Sequence, residues 1–281
     1  MANRFARRSH ASTWLLYLGL AVGLLFACFP IVWMFFTSLK SNTEIFALPP
    51  SILPKVFTFE AYMSIFTDPV KLRFFFNSYL VAGVVTLLTL VIAVLAAYAF
   101  SRYDFRLKKP FNLLVISTQT VPPITLLIPY FGMVVAFGIF NTYYALILTY
   151  LVFTLPYAIL LMTGYLNTLP KELDEAVLVD GGSSWTALWR VIVPISLPGI
   201  VATAVYTFLL AWNEFLFALT LTKSMDMRTV PIGISLLMGQ HAFEWNEMMA
   251  MSVLGSLPLL VLYLIAQRYF LAGMTAGSVK A

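Results

Sequence analysis

From Pro110 to Pro170 the chain runs through 61 positions without a charged side chain. A soluble core of this length would not leave so long a run uncharged. A helix needs about 20 apolar residues to cross the hydrocarbon core of a bilayer, so the run is too long for one crossing and suits two. The rest of the chain agrees with that reading. Of its 281 residues, 61% are hydrophobic and 10% charged, against about 25% charged in a typical soluble domain. The expected fold class is therefore an all-α integral membrane protein.

The formal charge of +5 is not a nucleic-acid signal in such a chain, because basic residues beside spans set topology. With one cysteine, Cys28, an internal disulfide is excluded. His10 and His241 stand apart, so no metal site is expected. Arg4, Arg7 and Arg8 before an apolar run could open a signal peptide. However, the charge-free run continues from Ala11 to Leu39, too long for a signal core, and Phe26 is bulky where cleavage favours small residues. A retained first span is expected.

Six spans follow from the charge-free runs: about 14–36, 75–100, 111–137, 142–166, 197–221 and 249–269, with a turn near Gly138 to Asn141. Residues 1–13 and the tail 272–281 flank a membrane domain over 14–271. Lysine and arginine choose its orientation. Arg4, Arg7, Arg8, Arg102, Arg106, Lys108, Lys109, Lys171, Arg190, Arg268 and Lys280 fall on one face, and fewer, Lys40, Lys55, Lys71, Arg73, Lys223 and Arg228, on the other. The richer face is cytoplasmic, which places both termini in the cytoplasm and the loops 40–73 and 223–247 outside. In the first outer loop, Leu48 to Pro54 reads as rigid and extended, and Phe57 to Phe66 as a short interfacial helix. In the second, His241, Phe243, Glu244 and Trp245 suit a docking surface or a sugar contact. An aromatic belt at the headgroup level is the alternative for Trp245.

Two spans carry unusual polarity. The third contains Gln119, Pro122 and Pro123. Consecutive prolines remove donors and free carbonyls, which lipid tolerates only where protein or water satisfies the backbone. Interrupted spans of this kind often line transport sites. The fifth contains Trp212, Asn213 and Glu214, which with Gln119, Pro122 and Pro123 are the expected pathway or gate residues. An acid inside a span faces a cavity or a partner. Glu214 is read either as a pathway or gate residue or as a paired acid tying two helices.

The segment 168–196 joins spans four and five and is charged where a plain loop would do. Thr168 can cap a helix with Pro170 in its first turn, with Glu172, Asp174 and Glu175 at the positive end of its dipole. Leu169, Leu173, Ala176 and Val177 form the expected apolar face, and Gly181-Gly182 ends the helix. Ser183 or Ser184 caps a second helix with a stripe of Trp185, Leu188, Trp189 and Ile192, stopped by Pro194. Helices lying on lipid usually present lysine and arginine, whereas this one displays mostly acids, so a protein partner fits better.

These residues resemble a known pattern. Glu175-Ala176-Val177-x-x-Asp180-Gly181, followed by Ile192-x-Pro194 and Leu197-Pro198, is similar to the EAA motif of membrane subunits of binding-protein-dependent ABC importers. It departs at Val177, where a second alanine is common, and at Gly182, where alanine or serine is frequent. Phe76-Asn77-Ser78, Ala211-Trp212-Asn213-Glu214-Phe215 and the tail Ala272-Gly273-x-Thr275-x-Gly277-x-Val279-Lys280 resemble carbohydrate-importer permeases of the maltose type, MalG-like branch.

The resemblance implies a six-span permease in a bacterial or archaeal cytoplasmic membrane. Its elbow, with Glu172, Glu175, Ala176, Val177, Asp180, Gly181 and Gly182, would dock a cytoplasmic ATPase. Two ATP-binding subunits, a second, homologous but different permease, and an extracytoplasmic sugar-binding protein would complete the complex. The chain has no GxxxxGK[ST] loop, so ATP and magnesium belong to the partner ATPase and no cofactor or catalytic residue is expected here. The competing reading is a proton-coupled transporter working alone, for which only Glu214 could carry the proton. A membrane-embedded enzyme finds no nucleophile–base pair.

Overall fold

The computed structural model describes residues 10–239 and 244–276. In chain order the helices are α1 (His10–Ser38), α2 (Asn42–Ile45), α3 (Glu60–Thr67), α4 (Pro69–Arg102), α5 (Lys108–Thr118), α6 (Leu127–Ala136), α7 (Tyr143–Leu166), α8 (Glu172–Val179), α9 (Ser184–Ala187), α10 (Val193–Ile195), α11 (Leu197–Trp212), α12 (Leu216–Leu221), α13 (Val230–Leu236) and α14 (Trp245–Ala276). Trp14–Ser38, α4, α7 and Trp245–Tyr269 are each long and apolar enough to cross a membrane alone. Two bent pairs, α5 with Pro123–Ala136 and Ser184–Ile195 with α11, raise the number to as many as six if each pair is one span. The chain is an all-α, multi-pass membrane protein.

It divides into two compact units, Met1–Thr67 with Ile234–Leu254, and Asp68–Gly233 with Gly255–Ala281. In the first, the charge-free face of α1 from Trp14 to Ile31 is exposed, as expected of a lipid-facing helix. Its end is tied down. Ser38 Oγ donates to Phe35 O at 2.6 Å and lies 2.7 Å from Tyr62 Oη on α3. The loop between them closes around Glu44, whose carboxylate accepts from Lys55 N at 2.8 Å and Ser51 Oγ at 3.0 Å. The Lys55 amide, chiefly, holds the Glu44 carboxyl below its usual range. The helix expected over Phe57 to Phe66 forms as α3, which buries Ala61 and Ile65.

In the second unit α4, α7 and α11 pack side by side. Asp68 caps α4 by accepting from Val70 N, with Pro69 at the first helical position, so the helix starts earlier than the expected span. Val85, Thr89, Ala93, Ala97 and Ser101 form the buried stripe of α4. Leu146, Tyr150, Thr154, Ala158, Met162 and Leu166 form that of α7. Both repeat at about one turn, and their small residues let the backbones approach closely. Midway, Thr89 Oγ1 and Thr154 Oγ1 share a hydrogen bond of 2.8 Å. The turn between α6 and α7 uses left-handed backbone at Gly138 (φ +68) and Asn141 (φ +59). Asn141 Oδ1 accepts from Lys223 N at 2.7 Å, which binds this turn to the end of α12.

Two of the expected spans are not single helices. Over 111–137 the chain breaks after Thr118, passes a 3-10 turn at Pro123–Leu126 and continues as α6, with a bend of 96°. Over 197–221 it breaks at Asn213–Phe215 between α11 and α12. The 16 residues of α11 rise about 24 Å, less than the roughly 30 Å hydrocarbon core.

Candidate functional site: the charged elbow and the broken helices

The elbow begins one turn later than its capping residues suggest. Thr168 Oγ1 donates back to Tyr165 O at 2.7 Å, so it closes α7 instead of capping α8. Pro170 lies before α8, whose first residue is Glu172. At the other end Asp180 is the C-cap. Gly181 takes φ +81, its N–H donates to Leu178 O at 3.1 Å, and Gly182 N–H donates to Val177 O at 2.8 Å. This is a Schellman stop, and it needs glycine at 181.

Gly182 is constrained differently. A Cβ there would lie 2.6 Å from Val177 Cγ1 and 2.9 Å from Val177 O. Both the Val177 side chain and its carbonyl oxygen crowd that space, so this turn accepts only glycine at 182 without shifting.

The apolar face of α8 differs from the expected one. Leu173 and Val177 are half-buried, but Ala176 is exposed and the buried position belongs to Asp174. Asp174 is thus not displayed with the other acids. Its Oδ2 lies 2.7 Å from Arg102 Nε and its Oδ1 accepts from Tyr98 Oη at 2.7 Å, both on the last turns of α4. Sequence reasoning missed this group; Arg102 read as a topology charge, though an acid at Asp174, next to Leu173 on the inward side, was a visible signal. The outward face is Glu172, Glu175, Ala176 and Val179, at i, i+3, i+4 and i+7, continued by Asp180. Val179 is 87% exposed, large for an apolar side chain in a packed elbow.

The second arm is N-capped by Ser183, which accepts from Thr186 N at 3.2 Å. Ala187, Leu188 and Ile192 are buried. Trp185 and Trp189 are not part of that buried stripe: they pair edge to face at 5.6 Å and stay exposed at its rim. Leu188–Ile192 forms a π turn, and helix continues through Pro194 to Ile195, so the break falls at Ser196. Proline at the first turn of α10 needs no N–H donor there, which is why it does not stop the chain.

At the second break, Glu214 is fully engaged. Its carboxylate accepts from Phe217 N at 2.8 Å, Ala218 N at 2.9 Å and Tyr150 Oη at 2.6 Å. It caps α12 and ties it to α7, the arrangement of a paired acid. Trp212 is 3% exposed, stacks on Phe208, meets Tyr79 edge to face and donates Nε1–H to Gly255 O at 3.1 Å. It packs among these groups and lines neither of the two cavities beside the breaks. Asn213 is exposed and turns its Nδ2 back to Leu209 O at 2.9 Å.

At the first break, Gln119, Pro122 and Pro123 are exposed. Pro123 and Glu214 meet across one cavity of about 240 Å³, also lined by Tyr150, Thr154 and Phe217. A neighbouring groove of about 330 Å³ carries Gln119 and Pro123. Pro122, Trp212 and Asn213 line neither. Of the expected docking residues, Glu244 accepts from Asn42 Nδ2 at 2.5 Å and Trp245 opens α14. His241 and Phe243 lie outside the described residues, as does the end of the tail from Gly277.

Broken hydrophobic helices beside a largely apolar cavity that carries Glu214, joined to a charged elbow, suit a membrane transport protein. Residues 89–276 match the model of the family described as binding-protein-dependent transport system inner membrane component, and the chain belongs to that family. It is 36% identical over 264 residues to the sulfoquinovosyl glycerol transport system permease protein SmoH of Agrobacterium fabrum, covering 94% of this chain and 93% of that protein. It is 36% identical over 270 residues to the trehalose/maltose transport system permease protein MalG of Thermococcus litoralis, covering 95% and 96%. Among solved structures, a bacterial ABC transporter involved in the import of the acidic polysaccharide alginate superposes with a TM-score of 0.81 at 20% identity, over 96% of this chain and all of that one.

Proposed function

We propose that this chain is the permease subunit of an ATP-driven sugar importer, forming half of the translocation pathway and docking a cytoplasmic ATPase through α8. The observation that carries the docking is the outward face of Glu172, Glu175, Ala176 and Val179, which is acidic, partly apolar and left uncovered by its own chain. Such a face suits a groove in a protein more than an anionic lipid surface. Fixed by the Gly181–Gly182 stop at one end and Asp174 at the other, α8 moves as a body with the helices it joins. The sugar class rests on the named substrates of relatives such as the trehalose/maltose and sulfoquinovosyl glycerol permeases.

The assembly we infer has a second permease, two ATP-binding subunits that hold ATP and magnesium, and an extracytoplasmic sugar-binding protein. Six crossings, with both termini in the cytoplasm, put the elbow on the ATPase side. The chain itself performs no catalysis. Pro123, Gln119 and Glu214 border the pathway in this reading, with Glu214 shaping its wall and not carrying protons, since all its bonds serve the fold.

The test is Glu175→Lys in the assembled transporter. Reversing one charge at the centre of the docking face is expected to abolish co-purification of the ATPase subunits and sugar uptake together. Normal association and uptake would defeat the docking assignment.

A further inference from the structure

Asp174 is the one buried residue of α8, and both groups that hold it come from α4. Tyr98 and Arg102 stand at i and i+4 on one face of that helix. Arg102 Nη1 also donates to Leu166 O at 3.2 Å and Leu169 O at 3.3 Å, and Tyr98 Oη lies 3.3 Å from Ser184 O. Two side chains of one helix thus grip the end of α7, the connector, α8 and the start of α9. The side chains of Arg102 and Asp174 are only 6% and 13% exposed. In so dry a setting removal of one partner strands the other's charge.

The helix that holds this grip is also stiff. Proline interrupts α1 at Pro30, α7 at Pro156 and α14 at Pro258, whereas α4 has proline only at its first position. Its far end makes a second polar clamp. Asn77 Nδ2 donates to Asp226 O and Arg228 O at 2.7 Å each, Asn77 Oδ1 accepts from Tyr143 Oη at 2.6 Å, and Ser78 Oγ accepts from Val230 N at 2.9 Å. About 37 Å of uninterrupted helix separates Asn77 from Arg102.

We propose that Arg102, Asp174 and Tyr98 form the joint by which displacement of α8 enters α4, and that α4 carries it as a rod to the Asn77–Ser78 clamp on the outer loop. This rests on the ATPase-docking reading of α8. The three are positioning residues, since they act through the helices they join.

The experiment uses the complete importer, purified through this chain with its ATPase subunits, partner permease and binding protein, in proteoliposomes. ATP hydrolysis and sugar uptake are measured together. Arg102→Met and Asp174→Asn are each expected to keep hydrolysis within about twofold while uptake per ATP falls about tenfold. The double variant Arg102→Met/Asp174→Asn is expected to lose no more than either single change, because all of them break one joint. Tyr98→Phe, which removes only a hydroxyl, is expected to lower the ratio about threefold. Hydrolysis and uptake that fall together at a constant ratio indicate a merely structural role and overturn the proposal, as do losses that multiply in the double variant. Where the charge variants fail to assemble, Tyr98→Phe decides, and an unchanged ratio overturns it. Glu175→Lys run in parallel separates the two readings. Intact association there defeats ATPase docking, whereas lost association with an unchanged ratio in the joint variants defeats the joint alone.

Discussion

The two broken helices of the second unit meet at one cavity but are finished differently. At Asn213–Phe215 the break is sealed. Glu214 satisfies the free N–H groups of α12, holds Tyr150 of α7, and has Trp212 anchored beside it on Gly255. At Ser117–Thr125 the described hydrogen bonds are local: Ser117, Thr118, Thr120 and Thr125 each turn a hydroxyl to a carbonyl three residues back. Among the described residues none of these bonds reaches another helix, and Gln119 to Ile124 are exposed. A break cross-linked to its neighbour has one geometry. A break that satisfies only itself can change its bend without losing hydrogen bonds. The first is a strut of the cavity wall, and the second is the element free to move.

The largest effect should follow from cutting the strut. Glu214→Leu leaves two helix N–H groups and the Tyr150 hydroxyl without their acceptor, a loss of about 3 kcal/mol in total from a cap and an orphaned donor. The expected outcome is poor yield and a clearly lowered thermal midpoint of the purified complex, with uptake falling in proportion to folded protein. A stable Glu214→Leu protein that has lost only uptake would reverse the comparison, making Glu214 a pathway residue and not a strut. Tyr150→Phe removes one interhelical bond and keeps the cap, so its cost should be near 1 kcal/mol, read in the same unfolding measurement.

The difference between the breaks was only half legible in the sequence. Consecutive prolines announce a broken helix, because neither can donate, and Pro122–Pro123 is where α5 and the 3-10 turn part. The break at Asn213 has no proline or glycine to mark it. It exists because Glu214 bonds the backbone ahead of it, a competition between side chain and helix that periodicity does not register. Trp212 was misread for a related reason: an aromatic beside an acid reads alike whether it faces water or Gly255. The buried stripes of α4 and α7 were foreseeable only as apolar runs, since helical periodicity in hydrophobicity fades when lipid and core are both apolar. In the elbow, the glycine stop followed from residue type. The burial of Asp174 did not, because its partner Arg102 lies 72 positions earlier in the chain.

The movable break should respond in the opposite sense. Pro122→Ala returns an N–H donor and lowers the barrier to continuous helix. Stability should change by less than about 1 kcal/mol, since no interhelical bond is touched. Uptake should fall severalfold, because a helix biased towards straightness narrows the groove beside Gln119. If thermal unfolding instead shows a loss as large as that of Glu214→Leu, the proline break is a strut as well and the contrast fails.

The smallest effect is expected at Gln119, and it is the most discriminating. Its side chain is exposed at the C-cap of α5 and lines the open groove. Replacing it with alanine should leave stability within about 0.5 kcal/mol, as for other exposed positions without a partner. If sugar passes through that groove, the amide supplies one neutral hydrogen bond, and its loss should raise the concentration for half-maximal uptake about threefold with the maximal rate unchanged. A Gln119→Ala importer with unaltered concentration dependence would remove the open break from the sugar's route, while leaving the sealed break as the wall of a cavity that serves only the fold.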